Sequence, residues 1–595
     1  MIKINKTLGL ALLTALAASC SSDNDVAQSN NPTIENGESA FATLRINLPA
    51  QQGTRAVLYA DGLNSEYAVN DGTLLLFKKV NKDDAEGAYK FVTSVDLGNM
   101  NPWENSIRTD VQTTADIIAE LGNTSYADLK AGNIYGLVIL NNGTGDAQKI
   151  TLPTKDQTFS DWNKTTVSSD KMTVTSNGIV MANAPEWKTA GSTPLTLVPI
   201  DGNMVKPTKA LAEAAGVAAD IYVERGLAKV TMEKPKGSFE PTGPYAIDRV
   251  YIDAWVLDVT NKSSFPVHNV DLASSYADIW KDEGTVAKST VNGASINRFH
   301  DTSTEMNTED GQTSIFRRVY WGKDPNYDQN ISDVATAFNL AKTADLEKDS
   351  AKAFGDANPK YCLENTFDID HMTQNQTTRV LFKATYRVED KTPATFYKID
   401  GQSGLYNLEK LTNLINTIVK NVTGKEVGKN YTLDLGDIAT VAGSRELTDA
   451  NFTAVSTNPA KAFTRGTDEA ENGEGTTTNG MLTKDEIDKV NAQLKGKIKT
   501  YLDGVCYYIG RIKNFGQDET KWEPGDPTYN SDNISWLGRY GVLRNNWYDL
   551  KVNGVFGPGE PVIPDTPDTP DDDNSFINLS VKVLKWAKRG QVLHF

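Results

Sequence analysis

Hydrophobic and polar residues alternate with period two over much of this chain. From Ala40 to Leu48, Ala42, Leu44, Ile46 and Leu48 fall on one side, and Phe41, Thr43, Arg45 and Asn47 on the other. That pattern predicts a half-buried strand, which Pro49 to Thr54 would end. Runs rich in Val, Ile, Tyr and Thr recur at Thr73–Phe77, Tyr135–Leu140, Ile221–Met232, Arg249–Val259, Arg379–Val388, Val505–Ile512 and Trp547–Val552. Gly, Asn and Asp turns such as Asn141-Asn142-Gly143 bound them. They do not alternate regularly with helices, which argues against a parallel α/β sheet and for an all-β fold of β-sandwich domains. Helical spacing is confined to Thr483–Leu502, Leu405–Val419 and Ala210–Ala219, expected as short covers over sheet edges or loops. Thr483 and Glu486 have capping-box spacing. No repeat of 20–50 residues is present.

Two segments are low in complexity. Residues 465–480 are acidic and rich in Gly and Thr, and read as a loop. Pro558, Pro561, Pro564, Pro567 and Pro570 predict an extended spacer over 557–574, at ~3.1 Å per residue a reach on the order of 50 Å. Beyond it, Ile577, Leu579, Val581 and Val583 alternate with Asn578, Ser580 and Lys582, an amphipathic strand at the end of an arm. Leu584 and Trp586 continue on the other parity, as a bulge allows. A lone strand is not stable and needs a sheet edge, in its own chain or another.

The length of 595 residues suits two or three domains. A formal net charge of −17 and a pI of about 4.9, with no basic cluster, argue against nucleic acid as a partner. Lys3 and Lys6 precede the apolar stretch Leu8–Ala18, which has signal-peptide length and is too short to span a bilayer. Leu16-Ala17-Ala18-Ser19-Cys20 resembles the lipobox of bacterial lipoproteins, with Ala17 where Leu is usual. That resemblance implies acylation of Cys20 and an oxidising compartment beyond the inner membrane. Cys362 and Cys506 are left, either bridged or separately buried as thiols.

Candidate chemistry is sparse. The four His are His268, His300, His371 and His594, with no H-x-x-x-H and no C-x-x-C spacing, so the common zinc signatures are absent. Asp368, Asp370 and His371 are either metal ligands or a solvated turn. Gly401-Gln402-Ser403-Gly404 lacks nucleophile-elbow spacing, and no Gly-rich phosphate loop precedes a helix. No carboxylate pair stands out as catalytic, and no cofactor is expected. Trp103, Trp162, Trp187 and Trp522 either stack on sugars or pack in sandwich cores.

Several segments, in order along the chain, resemble the fimbrillins of type V pili, the FimA- and Mfa-type major shaft subunits. They are the signal ending at Cys20 and the run Gln51-Gln52-Gly53-Thr54-Arg55-Ala56, similar to the site where family precursors are cut after Arg. Val223-Glu224-Arg225-Gly226-Leu227-Ala228-Lys229-Val230 resembles the family's V-E-R-x-x-A-[RK] strand. Tyr361-Cys362-Leu363-Glu364-Asn365 is similar to its Y-x-L-E-N segment, and Arg544–Leu550 to its R-N-x-x-Y-x-[IL] strand. The ending from Ile577 to Trp586 resembles its terminal donor strand. The chain is longer than typical relatives, with the excess expected around 260–360 and 455–480.

The resemblance implies two transthyretin-like β-sandwich domains, a few short helices and a C-terminal donor strand. The expected divisions are a signal peptide at 1–19, a propeptide with a removable strand at 20–55, an N-terminal sandwich at 56–220, and a C-terminal sandwich at 221–556. A Pro-rich linker at 557–574 and a donor strand at 575–595 follow. The implied mechanism is export to the outer membrane as a lipoprotein, then cutting between Arg55 and Ala56 by an arginine-specific surface protease. The strand carrying Ala42, Leu44, Ile46 and Leu48 leaves, and another copy's Ile577, Leu579, Val581 and Val583, with Trp586, enter its groove. In a lone chain the arm is expected to pack loosely. Implied partners are further copies and accessory pilus subunits. The alternatives are a tip or anchor subunit, a surface glycan-binding lipoprotein, or an enzyme.

Overall fold

The computed structural model describes residues 39–48, 63–98, 114–122, 124–187, 193–270, 333–365, 373–455, 482–514, 540–569 and 577–585, with short stretches between 288 and 326. Cys20, Arg55, Ala56, Trp586 and the Asp368–His371 cluster lie outside the described residues, as does the side chain of Val583.

The first unit is built on strands β1 (Phe41–Asn47), β2 (Gly72–Lys78), β3 (Lys90–Asp96), β4 (Thr114–Glu120), β5 (Ile134–Leu140), β6 (Met181–Asn183) and β7 (Val217–Arg225). Their order is β3-β2-β5-β6-β7-β1-β4. The sheet curls so that Leu74, Leu76, Val138 and Leu140 from one half share a core with Leu44, Ile46, Ile117 and Ile221 from the other. Alternation within a strand then sends Leu75, Phe77, Leu137 and Ile139 to the opposite face, against Phe159, Trp162 and Leu197. Helix α1 (Lys209–Ala215), capped at its start by the Thr208 side chain, precedes β7 and lies over β1. The Ala210–Ala219 helix read in the sequence thus stops at Gly216, where the strand begins.

The second unit uses β8 (Ala228–Met232), β9 (Arg249–Asp258), β10 (Lys360–Cys362), β11 (Arg379–Arg387), β14 (Val505–Arg511), β15 (Asn546–Val555) and β16 (Ile577–Lys585). One sheet runs β10-β8-β15-β16 and the other β9-β11-β14. Val230, Tyr548, Leu550 and Val552 from the first meet Val380, Phe382, Ala384 and Tyr508 from the second in one core. The run Ile221–Met232 is therefore two strands. It breaks at Gly226-Leu227, so β7 closes the first unit and β8 opens the second.

A third, smaller core lies between β11 and β14 in the chain. Strands β12 (Phe396–Ile399) and β13 (Ile498–Tyr501) pair with each other and with Leu405–Tyr406 and Gly443–Arg445. Helices α2 (Leu408–Thr423) and α3 (Lys484–Leu494) pack over them through Leu411, Ile415, Val419, Ile487, Val490 and Leu494. The Thr483–Glu486 capping box forms as read, and Asn407 caps α2. The expected helix to Leu502 ends at Leu494, because Lys495 takes the left-handed conformation and β13 follows. These helices build a core of their own with β12 and β13.

Candidate assembly site

β1 is an interior strand. It pairs antiparallel with β4, Arg45 opposite Asp116, and parallel with β7, Ile46 opposite Ile221. Ala42, Leu44, Ile46 and Leu48 are all buried in the first core. The other face of β1 carries three polar attachments. The Thr43 hydroxyl donates to the Ala212 carbonyl of α1 at 3.0 Å. Arg45 donates from Nε and Nη2 to the two Asp116 carboxylate oxygens at 2.9 and 3.2 Å. Asn47 donates to Asp220 at 2.5 Å, whose carboxyl is raised by burial despite that bond and the nearby Arg45.

The C-terminal strand β16 pairs antiparallel with β15 of its own chain, Leu550 opposite Val581 and Val552 opposite Leu579. Ile577 and Val581 are buried in the second core, and Leu579 packs partly buried against it. A Cβ at Gly510 of β14 would stand 2.7 Å from Leu579 Cδ2, so the leucine fills the space that glycine leaves. The loosely packed arm expected in a lone chain is not what the structure has. The edge of β15 offers a full ladder, and an amphipathic strand takes it.

The Pro-rich segment before β16 is likewise no free spacer over its described part. Glu560 exchanges both backbone hydrogen bonds with Tyr507, at 2.8 and 2.9 Å, and its carboxylate meets Lys499 at 2.9 Å. The hydroxyls of Tyr501 and Tyr508 donate to the carbonyls of Gly559 and Gly557 at 2.7 and 2.8 Å. Arg379, ion-paired to Asp258 at 2.8 Å, donates onward to the Pro564 and Asp565 carbonyls. Ile563 packs with Ala254, Leu381 and Tyr507. Proline removes N–H donors but keeps carbonyls, so a strap rich in it is held by donors on the surface beneath.

The three internal segments that resembled a known family converge where the two units meet. From the V-E-R strand, Lys229 is ion-paired to Glu66 of the first unit at 2.8 Å, both side chains fully buried. Its ammonium also lies 3.6 Å from the Trp547 ring centroid. Burial lowers the Lys229 pKa, and Glu66 opposes that. The Tyr361 hydroxyl donates to Glu66 at 2.6 Å, and Arg225 Nε to the Glu66 carbonyl at 3.1 Å. The Glu224 carboxylate accepts from His268 Nδ1 at 2.7 Å, which assigns the ring proton to that nitrogen, and lies 4.0 Å from Arg544. Arg544 is hydrogen-bonded to Glu364. Burial pushes the Glu364 carboxyl up, but Arg544 outweighs it and the net shift is downward. Asn365 and Asn261 link this group to Asp324, which burial raises to about 7. His268, Glu66, Asn261 and Asp324 were not singled out in the sequence. The legible signal was the charged Glu224, Arg225 and Lys229 inside strand-like runs, which a buried strand tolerates only with partners.

Cys362 and Cys506 are both free thiols buried in the second core, each pushed up to about 12 by burial. The bridge left open by the sequence is not made. Trp162 and Trp187 are buried, so they pack rather than stack on sugars, while Trp103 and Trp522 lie outside the described residues. Among the described residues no group of three or more His, Cys, Asp or Glu is placed to hold a metal ion.

These features define an all-β protein in which the first described strand is interior to its sheet and the last described strand lies on a sheet edge. The family model described as "Major fimbrial subunit protein type IV, Fimbrillin, C-terminal" matches residues 499–591, the part of the chain holding β14, β15, the strap and β16. Over those residues the chain resembles the C-terminal part of a fimbrillin. Among curated proteins no sequence matches it. It is similar to the solved structure of a fimbrilin (FimA) from Porphyromonas gingivalis W83, at 13% identity over 94% of this chain and 99% of that one, with a TM-score of 0.34. The tip fimbrial protein Mfa3 from Porphyromonas gingivalis matches at 10% identity over 92% of this chain and 100% of that one, with a TM-score of 0.27. A fimbrial assembly protein from Parabacteroides distasonis matches at 11% identity over 62% of this chain and 96% of that one, with a TM-score of 0.23.

Proposed function

We propose that this chain is the polymerising shaft subunit of a bacterial surface pilus. It is exported as a lipoprotein acylated at Cys20, cut between Arg55 and Ala56, and joined to further copies by strand exchange. The observation that carries this reading is the position of β1. It is the first strand among the described residues, yet it sits between β4 and β7 with four aliphatic side chains buried. Burying those side chains contributes roughly 0.5–3 kcal/mol each, Ala42 least, so their removal leaves a groove that demands a replacement. Between Lys6 and Lys78 the basic residues are Arg45 and Arg55 alone. Arg45 is paired within the sheet. Arg55 lies in a Gln/Gly/Thr run between β1 and β2, the kind of connection that proteases reach. The strand that replaces β1 is Ile577–Lys585 of another copy, whose Ile577, Leu579, Val581 and Val583 offer the same two-residue period. Partners on this reading are other copies, accessory pilus subunits and an arginine-specific surface protease. The site of action is the cell surface, with outer-membrane anchoring before cleavage.

Sequencing the N-terminus of subunits recovered from assembled fibres tests the maturation step. Subunits that begin at Ala56 are the expected result; fibres whose subunits still begin at Cys20 would contradict it.

One observation favours a second reading for β16. Its pairing with β15 and the burial of Ile577 and Val581 suit a permanent closing strand of the second unit. The two readings part on whether β16 must leave β15 for fibres to form.

A further inference from the structure

The two strands that exchange on the reading above share more than an apolar period. In β1, Ala42-Thr43-Leu44-Arg45-Ile46 runs aliphatic, hydroxyl, aliphatic, basic, aliphatic, and Leu579-Ser580-Val581-Lys582-Val583 has the same order in the same direction. The polar members of the first set are the ones with placed partners. Thr43 meets the Ala212 carbonyl and Arg45 meets Asp116.

We propose that the C-terminal strand of a second copy enters the groove in the direction and register of β1, parallel to β7. Lys582 then takes the place of Arg45 beside Asp116, and Ser580 that of Thr43 beneath α1. This rests on the strand-exchange reading and adds to it the contacts that select one register.

Four alternative placements are disfavoured on physical grounds. A slip by one residue turns Leu579, Val581 and Val583 away from the core and is excluded by the alternation itself. A slip by two in one direction puts Lys582 at the place of Thr43, which is buried under α1 with its hydroxyl on a main-chain carbonyl. A lysine ammonium held there loses its water without a carboxylate. The slip in the other direction puts Lys582 where Asn47 is buried, with the Asp220 carboxylate beside it, and Ser580 at Arg45, so that Asp116 loses its cation to a hydroxyl; this register is disfavoured less than the slip onto Thr43. Entry in the reverse direction, with Val583 at Ala42, again brings Lys582 to the place of Thr43. The match ends at Leu584, which falls at the position of Asn47, the point where the terminal segment changes parity.

The register also explains how the strand can be held at home without being trapped there. On β15, Lys582 stands opposite Asp549 and is exposed, and Ser580 is hydrogen-bonded to Asn553. Lys582 thus has a carboxylate beside it in both places, while the Ser580 hydroxyl accepts from the Asn553 amide at home and would donate to the Ala212 carbonyl in the groove. Exposed pairs of this kind add little affinity but bias register, because the wrong alignment leaves a charge unmatched.

Paired cysteines in the full-length chain test the assignment. Asp116 lies directly across from Arg45, so Asp116→Cys with Lys582→Cys places two thiols opposite each other between neighbouring copies. The native thiols Cys362 and Cys506 are buried and do not compete. Asp116 and Arg45 are 44% and 32% exposed at the side chain, so loss of their pair leaves the precursor folded. Fibres oxidised after maturation should give a disulfide ladder on a non-reducing gel that includes most subunits. Asp116→Cys with Ser580→Cys, displaced by two residues, should give at least tenfold less. A ladder with Ser580, or fibres with no ladder from either pair, overturns the register. A separate variant probes the underlying reading. Lys551→Cys with Ser580→Cys, directly opposite in β15 and β16, locks the strand at home when oxidised. Loss of fibres under oxidation, restored by reduction, supports exchange; fibres that form equally well with the lock closed overturn strand exchange and the register together.

Discussion

Asp324 is held by amides: the Asn326 backbone and side chain at 2.8 and 2.6 Å and the Asn261 side chain at 2.5 Å. Burial without a bonded cation raises it from 3.8 to about 7, while Glu364 close by is drawn below its ordinary value by Arg544. The two carboxyls therefore act on stability in opposite directions. For Asp324 the folded state binds the proton more tightly than the unfolded one, so its contribution is greatest below the unfolded value. That contribution is lost as pH rises through about 7. Stability should fall by ~3 kcal/mol between pH 5 and 8 from this group, at 1.36 kcal/mol per pKa unit. Thermal unfolding across that range should show the fall in the native chain and a flatter profile in Asp324→Asn; identical profiles would remove Asp324 as the cause. At this scale the sequence was half legible. Charged residues inside the strand-like run Val223–Val230 are a local sign of a buried polar site, though they were read only as a family resemblance, whereas Asp324 lies in a run with no period and nothing local marks it as buried.

β16 depends on a residue with no side chain. Gly510 leaves the space that Leu579 fills, with Phe382 3.2 Å from the same Cβ position. Gly510→Val should displace Leu579 and weaken the hold of β16 on β15 by ~1–3 kcal/mol, the usual cost of overpacking. Limited proteolysis should then release the C-terminal segment at least several-fold faster, with the rest of the second unit intact; unchanged release would show that Leu579 repacks without cost. Most strands were legible because alternation is a local property, and the seven long runs all fold as strands, one of them as two. The division of Ile221–Met232 was not, since Gly226 interrupts a run whose apolar pattern continues on both sides. The end of α3 at Leu494 was missed for a similar reason. Ile498 and Tyr501 keep an apolar spacing that suits either element, and the left-handed Lys495 decides between them. The strap was misread because composition reports the stiffness of a proline-rich segment and not the donors waiting under it.

The two units are coupled through a buried ion pair at their boundary. Removing one partner of such a pair leaves an unmatched charge, typically at a cost of 3–5 kcal/mol, whereas replacing both by apolar groups is often neutral. Lys229→Met should accordingly cost about 3–5 kcal/mol, and Glu66→Leu added to it should recover most of that loss. Calorimetry on the single and double variants checks this; a double variant no more stable than the single one would show that Tyr361, which also bonds the Glu66 carboxylate, dominates the junction. The strap has a consequence for the molecule as part of a longer body. In a fibre built by strand exchange, tension between neighbours runs down the terminal strand into the segment before it, and that segment is fastened to the outer surface of the second unit at Gly557, Gly559, Glu560, Pro564 and Asp565. Pulling force is thus divided among several anchorages spread along the segment instead of falling on one flexible joint. The described part of the strap serves as a mooring line, and its tyrosines and Arg379 are the cleats.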